Sequence, residues 1–358
     1  MKPLPLSAIV KSSAAGFALA RMLTAALGTR RRVDLRGKVA VVAGGTRGLG
    51  LAIAERLARK GCAVAICGRR REDVEGARSE LARWGGSVYA EVCDLRHRDD
   101  VDRFVRNVAA RLGDVDILVT NAATISVAPI EALDASDFER AMESIFDTTL
   151  HAVLAVMPSM RARRTGTLAF ITSIGGKVGV PHLAPYSAAK FAAVGLSESL
   201  RAELAKDHVR VLTVIPGLMR TGSPVHAGFK GDAEKEYAWF ATSASAPLLS
   251  ISADRAARLI VRAIERGAVR LTFTPLARIA VRLHDLVPSL FDLVFTVAGR
   301  LLPRVPAGRA GEAGQAGQAG QEREGLEIEQ GSRSKLVAVV RGRGRGLARR
   351  HGQLRTVP

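Results

Sequence analysis

Short apolar runs alternate with longer amphipathic segments through most of the chain. Each run is apolar along nearly its whole length, as in KVAVVAG and CAVAICG. Such runs are typical of parallel strands that helices cover on both faces, because both sides of each strand are then buried. Strands are predicted at 38–44, 62–68, 87–92, 116–120, 166–172, 209–215 and 268–273. The pattern therefore predicts an α/β fold, with a single doubly wound domain and a parallel sheet over residues 37–275.

The segments on either side of this domain follow other patterns. Residues 276–303 are strongly apolar and predict a helical extension, which could pack across a dimer, line the substrate site or touch a membrane. Residues 304–358 are of low complexity and predict a disordered basic tail. Residues 1–36 predict a basic amphipathic helix. This helix could lie on an anionic membrane surface, or it could pack on the body or on a second subunit.

The positive charge is concentrated at the ends of the chain. The formal net charge is +19, of which residues 1–38 contribute +7 and residues 304–358 contribute +6. The domain between them is therefore only mildly basic. The arginine-rich tail lacks interleaved aromatic residues on which bases could stack. Nucleic acid is accordingly not an expected partner.

The cysteines show no spacing typical of a disulfide framework or of a metal site. Cys62, Cys67 and Cys93 lie in apolar, strand-like runs, where cysteine behaves as a small buried hydrophobic residue. Free thiols are typical of a reducing compartment. We therefore expect a cytoplasmic protein without a bound metal, which residues 1–36 could bring to a membrane.

A glycine-rich segment joins the first predicted strand to the first predicted helix. In VAGGTRGLG, Gly44, Gly48 and Gly50 would let the backbone turn sharply and approach a pyrophosphate at the positive end of the helix. A strand before and a helix after the glycines distinguish this segment from an ordinary glycine turn. The intervening residues expected to contact the dinucleotide are Thr46, Arg47 and Leu49.

The end of the second predicted strand indicates which cofactor would bind. An NAD site usually has a carboxylate there for the ribose 2′-hydroxyl, whereas this chain has Gly68 and Arg69. Arg47 lies in the glycine segment on the same side. Two guanidinium groups suit a 2′-phosphate, which arginine can bind with two hydrogen bonds. NADP(H) is therefore favoured over NAD(H).

The stretch PYSAAK places Tyr186 four residues before Lys190. This spacing brings the two side chains to the same face of a helix. An ammonium beside a phenol lowers the pKa of the phenol and makes it a better general acid. By itself the spacing is more often that of a surface helix, so the assignment depends on the other motifs.

These motifs together resemble the short-chain dehydrogenase/reductase superfamily of the NADP type. The resemblance covers about residues 37–275 and is specific in combination. It rests on the spacing Gly44-x3-Gly48-x-Gly50, on TNAA after the fourth strand, on Ser173 thirteen residues before Tyr186, on Lys190, and on PGLMRT at 216–221. It implies a Rossmann fold, an NADP(H)-dependent dehydrogenase or reductase, and a homo-oligomer.

The resemblance also implies a role for each matching residue. Tyr186 would be the general acid or base, Lys190 would lower its pKa and bind the nicotinamide ribose, and Ser173 would hold the substrate oxygen. Asp94 would meet the adenine and Asn121 would line the cofactor groove. The remaining cofactor contacts that the resemblance implies are Leu95, Pro216, Gly217 and Thr221.

Some positions depart from the family pattern. Ala43, Thr120 and Ala123 replace the usual threonine, asparagine and glycine, and Ile145 stands where an asparagine is usual. That asparagine ordinarily holds a water that links the lysine to solvent, and an isoleucine side chain cannot hydrogen-bond a water. The neighbouring Thr148 and Thr149 are expected to point elsewhere. The alternative to a working enzyme is therefore an NADP-binding scaffold or sensor with impaired turnover.

Residues 222–250 are predicted to form a cap over the substrate side of the site. This segment supplies aromatic and apolar side chains, which favour a hydrophobic alcohol or ketone as substrate. The same residues could instead pack the cap onto the sheet. They are Phe229, Tyr237, Trp239, Phe240, Leu248 and Leu249.

Overall fold

A computed structural model describes residues 32–220, 222–245, 250–303 and 322–332. At its centre is a seven-stranded sheet in which all neighbouring strands are parallel. The strands are β1 Val39–Ala43, β2 Ala63–Gly68, β3 Val88–Val92, β4 Ile117–Thr120, β5 Gly166–Ile171, β6 Val209–Ile215 and β7 Arg270–Thr272. Their spatial order is β7-β6-β5-β4-β1-β2-β3. The prediction of a doubly wound parallel α/β sheet is thus confirmed, with each strand within two residues of its expected bounds.

Helices cover both faces of this sheet. The helices are α1 Gly48–Arg59, α2 Arg71–Ala82, α3 Arg98–Leu112, α4 Ala135–Ala141, α5 Thr148–Ala162, α6 Ala184–Glu203, α7 Ala233–Ser245, α8 Ala253–Glu265, α9 Pro275–Leu286, α10 Pro288–Leu301 and α11 Gly325–Gly331. Apolar residues of α1 and α8 form one core with one face of the sheet. Apolar residues of α3 and α5 form a second core with the other face. The apolar strands are therefore buried on both sides, as their composition predicts.

The helical pattern of residues 135–161 predicts one long helix, but this helix is interrupted in the structure. Residues Met142–Asp147 form a π-helical turn between α4 and α5. A π turn takes one more residue than an α turn and rotates the residues that follow it. The direction in which each side chain of α5 points therefore cannot be predicted from regular helical spacing.

The cap residues that the structure describes form a small core of their own. Phe229, Tyr237 and Phe240 are buried, and the ring of Phe229 meets those of Tyr237 and Phe240 at centroid distances of 5.4 and 6.0 Å. The aromatic residues of α7 therefore pack the cap together, which is the second of the two expected roles. Leu248 and Leu249 lie outside the described residues.

Part of the C-terminal tail corrects the prediction of disorder. Residues 322–332 form a strap over the cap, in which Arg323–Glu324 pairs antiparallel with Gly228–Phe229. Helix α11 then buries Ile328 and Glu329 completely. The short apolar face of GLEIEQ was not recognised because it directly follows low-complexity residues. The predictions for residues 1–31, 304–321 and 333–358 concern residues that the structure does not describe.

A buried hydrogen bond joins the strap to the cap, and its loss is expected to destabilise the protein. The Tyr237 hydroxyl donates to the Glu329 carboxylate, and both side chains are buried. Tyr237→Phe would remove a hydrogen-bond donor from a buried carboxyl group, so we expect the free energy of unfolding to fall by about 1–3 kcal/mol. Urea unfolding measures this change. Glu329→Gln is the control, because its amide oxygen can still accept; a larger loss in Glu329→Gln than in Tyr237→Phe would contradict the assignment.

Short irregular elements connect the rest of the fold. Two-residue strands at Ser126–Val127 and Gly228–Phe229 pair beside the cap, and those at Met219–Arg220 and Ile251–Ser252 pair beside α8. The described residues include 3-10 turns at Ile130–Ala132, Ile174–Gly176, Leu204–Asp207 and Ser223–His226. Within the described residues, every helix is too short or too polar to cross a bilayer.

Candidate active site

A cleft opens at the carboxyl ends of the central strands. The chain leaves β3 and returns on the other side of β1 to form β4, so the strand order reverses at this point. Crevices at such a reversal are the usual ligand sites of doubly wound sheets. The cleft has a volume of about 280 Å³. The residues predicted from sequence that line it are Gly44, Thr46, Arg47, Gly48, Leu49, Arg69, Asp94, Leu95, Asn121, Tyr186 and Lys190.

The glycine loop has no room for larger residues at two of its positions. Gly44 has φ +76°, and a Cβ on it would lie 2.8 Å from the backbone of Ala122. A Cβ on Gly50 would lie 2.1 Å from the carbonyl oxygen of Gly44. Gly50 thus packs behind the loop rather than lining the cleft. The Asn121 side-chain amide donates to the same Gly44 carbonyl at 3.1 Å, and this bond fixes the loop against the end of β4.

Three arginines meet at the end of the cleft near β2. Arg47 and Arg69 are joined there by Arg70, which the sequence analysis did not single out. Burial lowers the pKa of Arg47, and the nearby charges of Arg69 and Arg70 lower it further, while Asp73 acts in the opposite direction. Arg70 already pairs with Glu72 at 3.1 Å, whereas an anion between Arg47 and Arg69 would relieve the repulsion between their guanidinium groups. This end of the cleft is therefore a candidate anion site.

Asp94 is held by an ion pair at the next strand end. Its carboxylate lies 2.6 Å from the guanidinium of Arg96, and this hydrogen bond holds the pKa of Asp94 below its usual value. Asp94 therefore stays ionised and fixed in position beside the cleft. Both residues follow β3 directly, so a search for polar residues after each strand could have found Arg96 as well.

The residues expected to be catalytic lie together at the other end of the cleft. Tyr186 and Ser173 are hydrogen-bonded, and the Ser173 hydroxyl accepts from the Gly175 amide at 3.1 Å. The Lys190 ammonium lies 5.7 Å from the centroid of the Tyr186 ring and donates to the Ile171 carbonyl at 3.0 Å. Ser173 itself is not among the residues that line the cleft.

The acidity of the tyrosine differs from the expectation. Burial raises the pKa of Tyr186, and the hydrogen bond with Ser173 is what opposes this rise. The predicted lowering by Lys190 is not seen, because the ammonium is directed at the Ile171 carbonyl. Burial also lowers the pKa of Lys190 from 10.5 to about 8. The lysine therefore keeps most of its charge at pH 7 and loses it as the pH rises through about 8, whereas the tyrosine keeps its proton.

The π turn places different residues at the site from those that sequence spacing indicates. Ile145 is fully buried and packs with Ala141, Ala189 and Tyr186, so its side chain does not line the cleft. Ser144 and Thr148 line it instead. The expectation that Thr148 points elsewhere is therefore wrong, because the π turn rotates α5. Thr149 does point away and donates to the Ile145 carbonyl at 2.7 Å.

The segment after β6 lies behind the site. The Ile174 amide donates to the Pro216 carbonyl at 2.7 Å. Gly217 faces α9, and a Cβ on Gly217 would lie 3.4 Å from the side chain of Ala277. Neither Pro216 nor Gly217 lines the cleft in the structure. Thr221 lies outside the described residues.

Apolar side chains also line the cleft close to Tyr186, although sequence reasoning did not identify them. Ile125 lies in the loop after β4, Ile171 ends β5, and Met219 follows β6. Only the folded sheet brings these distant segments together, so no local signal marks them. The further lining residues missed by sequence reasoning include Cys67, Asp73, Cys93, Thr124, Thr172 and Ser223.

Comparison with known proteins agrees with this geometry. The family model described as short chain dehydrogenase matches residues 38–227. Dehydrogenase/reductase SDR family member 4 from Sus scrofa is 37% identical over 207 residues, which cover 55% of this chain and 71% of that protein. Fatty acyl-CoA reductase from Acinetobacter baylyi is 30% identical over 274 residues, which cover 76% of this chain and 88% of that protein.

A solved structure with the same fold was determined with a cofactor bound. L-sorbose reductase from Gluconobacter frateurii, in complex with NADPH and L-sorbose, is 26% identical and superposes with a TM-score of 0.60. The match covers 67% of this chain and 97% of that chain. The family match spans the glycine loop, Ser173, Tyr186 and Lys190 in one stretch. The chain therefore belongs to the short-chain dehydrogenase/reductase superfamily of nicotinamide-dependent oxidoreductases.

Proposed function

We propose that this protein is an NADP(H)-dependent oxidoreductase that interconverts a hydrophobic alcohol and its ketone or aldehyde. The observation that carries the proposal is one cleft that arginines line at one end and that Tyr186 and Lys190 line at the other, with Ser173 beside Tyr186. A phosphorylated dinucleotide is long enough to bridge such ends, and its pyrophosphate would lie at the amino end of α1, where Gly44 and Gly48 of the glycine loop line the cleft. Bound NADPH would supply the hydride.

The residues around Tyr186 account for the proton in this reaction. Carbonyl reduction places negative charge on the substrate oxygen, which hydroxyl donors stabilise. Ser173 would hold that oxygen and Tyr186 would protonate it. Because burial keeps the pKa of Tyr186 high, the tyrosine is protonated before the reaction, as a general acid must be. The Lys190 ammonium would then stabilise the tyrosinate that remains.

The titration of Lys190 predicts a pH dependence. Burial lowers its pKa to about 8, so the stabilising ammonium is present below this pH and lost above it. We expect kcat/KM for carbonyl reduction to fall as the pH rises through about 8, measured with saturating NADPH between about pH 6 and pH 10. Lys190→Arg should move the fall upward, since arginine keeps its charge throughout this range. An unchanged rate up to pH 10 in the parent would contradict the role of Lys190.

The substrate class is proposed from the apolar lining near Tyr186. Ile125, Ile171 and Met219 offer apolar surface at this end of the cleft, and the relative from Acinetobacter baylyi is a fatty acyl-CoA reductase. The test is NADPH oxidation with a series of straight-chain aldehydes and methyl ketones. Each added CH₂ that is buried contributes about 0.8 kcal/mol, so kcat/KM should rise by about fourfold per carbon until the cleft is filled. No turnover with any carbonyl compound would refute the proposed function.

A scaffold or sensor without turnover is the second candidate, and Ile145 is the observation behind it. Because the Ile145 side chain is buried among apolar neighbours, Ile145→Asn would bury an amide without partners. We expect this change to lower the free energy of unfolding by about 2–4 kcal/mol and to leave turnover no faster. Ile145→Val, which keeps the site apolar, should cost about 1 kcal/mol. Turnover that rises in the asparagine variant would support the sensor instead.

Oligomer formation and location remain parts of the proposal. Members of this superfamily are typically oligomeric and bind small-molecule substrates, and we propose a homo-oligomer here too. The buried free thiols Cys62, Cys67 and Cys93 are consistent with a cytoplasmic protein.

A further inference from the structure

The helical hairpin of α9 and α10 carries most of the large hydrophobic residues that are exposed in the described chain. This hairpin follows β7 and lies beyond the family match, which ends at residue 227. None of the described side chains of α10 is buried. The large apolar residues exposed on the hairpin are Ile279, Leu283, Leu286, Val287, Leu290, Leu293, Val294, Val297 and Leu301. Leu286 is 76% exposed, Leu293 63% and Leu301 83%.

These residues form one stripe on each helix. An α-helix turns by about 100° per residue, so Ile279, Leu283 and Leu286 share one side of α9. On α10, Leu290, Val294 and Val297 share one side in the same way, with Leu301 a turn further. Such spacing is that of an amphipathic helix whose apolar side faces a partner. The stripes are therefore an organised surface and not scattered exposed side chains.

The contacts that attach the hairpin to the rest of the fold do not use these stripes. Ala277 and Val281, on the opposite side of α9, are buried. Phe291 contacts the ring of His284 at a centroid distance of 5.4 Å and Phe295 at 6.0 Å, which joins α10 to α9. Nothing in the described chain covers the stripes, so the partner is something outside the described fold.

The charges beside the stripes indicate what kind of partner this is. The same 100° spacing places Arg282 at the edge of the α9 stripe and Arg300 at the edge of the α10 stripe, and both are exposed. Asp292 lies on the far side of α10 by the same count. Residues 275–303 carry three arginines against two aspartates. An apolar stripe bordered by arginines is the pattern of a helix that lies in the interface of an anionic bilayer.

We propose that the α9–α10 hairpin docks this protein on a lipid bilayer that contains anionic headgroups, with its apolar stripes in the interfacial layer. The hairpin lies on the membrane surface and does not cross the bilayer, because α9 and α10 are too short to span it. Because α9 follows β7 and begins beside Gly217, the hairpin starts at the carboxyl edge of the sheet. This surface is separate from the N-terminal segment, whose structure is not described.

The test is vesicle flotation with the full-length chain. Vesicles of neutral phosphatidylcholine are compared with vesicles that also contain phosphatidylglycerol. We expect binding to the anionic vesicles, and we expect the double variant Leu286→Glu/Leu293→Glu to lower the partition coefficient at least tenfold. Arg282→Gln/Arg300→Gln should lower it several-fold on anionic vesicles and leave binding to neutral vesicles unchanged. Trp84→Glu is the control, since Trp84 is also exposed but follows α2 at the opposite edge of the sheet.

Two outcomes would overturn the proposal. One is equal binding of the parent and the Leu286→Glu/Leu293→Glu variant, which would show that another part of the chain holds the vesicle. The other is a change in oligomeric state or melting temperature of that variant, by light scattering and thermal unfolding, without a change in vesicle binding. This second outcome would show that the stripes are covered by a second copy or by the chain's own segments.

Discussion

Tyr186→Phe is expected to reduce turnover by about a thousandfold, because a positioned general acid contributes about 10²–10⁴ to the rate. Phenylalanine fills nearly the same space and removes only the hydroxyl. The affinity for NADPH should stay within about twofold of the parent, since the arginines that would hold the phosphate lie at the far end of the cleft and act independently of this hydroxyl. The rate of NADPH oxidation measures the turnover, and the quenching of protein fluorescence by added NADPH measures the affinity.

The chain offers a matched control for this change. Of its three tyrosines, Tyr89 donates to Glu91 at 2.5 Å on β3 and does not line the cleft. Tyr89→Phe should therefore leave turnover near that of the parent. Substantial turnover by Tyr186→Phe would remove Tyr186 from its catalytic role. Loss of both turnover and NADPH binding would instead show a structural role for the hydroxyl.

Arg69→Ala is expected to weaken NADPH binding by about tenfold to a hundredfold while NADH binding changes little. A hydrogen bond to a charged group contributes about 1.5–3 kcal/mol, and only NADPH carries the 2′-phosphate that the guanidinium would contact. Arg47 and Arg70 remain beside the site, so the loss should be partial. The double variant Arg47→Ala/Arg69→Ala should weaken NADPH binding further, so that NADPH and NADH bind with similar affinity.

The measurement is the dissociation constant of each cofactor for each variant. Arg71→Ala serves as the control, because Arg71 is exposed and paired with Glu75 at 3.8 Å but does not line the cleft. Its affinities for NADPH and NADH should match those of the parent. Equal losses for both cofactors in Arg69→Ala would contradict the proposed phosphate site.

Much of the candidate site could be predicted because its residues directly follow strands. Gly44, Arg69 and Asp94 each stand at the carboxyl end of a strand that the apolar pattern identifies, and parallel strands bring these ends to one edge. Tyr186 and Lys190 are one helical turn apart, so their juxtaposition is also local. The structure places all five of these residues at the cleft.

The predictions that were wrong involve contacts between distant parts of the chain. The π turn at Met142–Asp147 brought Thr148 to the cleft, since helical spacing assumes a regular turn. The pKa of Tyr186 depends on how deeply the folded protein buries it, and burial raises this pKa against the opposing hydrogen bond with Ser173. The strap of residues 322–332 is ordered by the cap on which it packs, about ninety residues earlier in the chain.

The sequence by itself determined the α/β class, the seven strands, the glycine loop and the residue types of the site, because these depend on short-range periodicity and on neighbours within one turn or one strand end. The tertiary structure decided the neighbours of each side chain. It set which aromatic residues pack the cap, which hydroxyls line the cleft, and which apolar stripes of α9 and α10 stay exposed. Burial is a property of all the segments that surround a residue, so no local pattern can specify it.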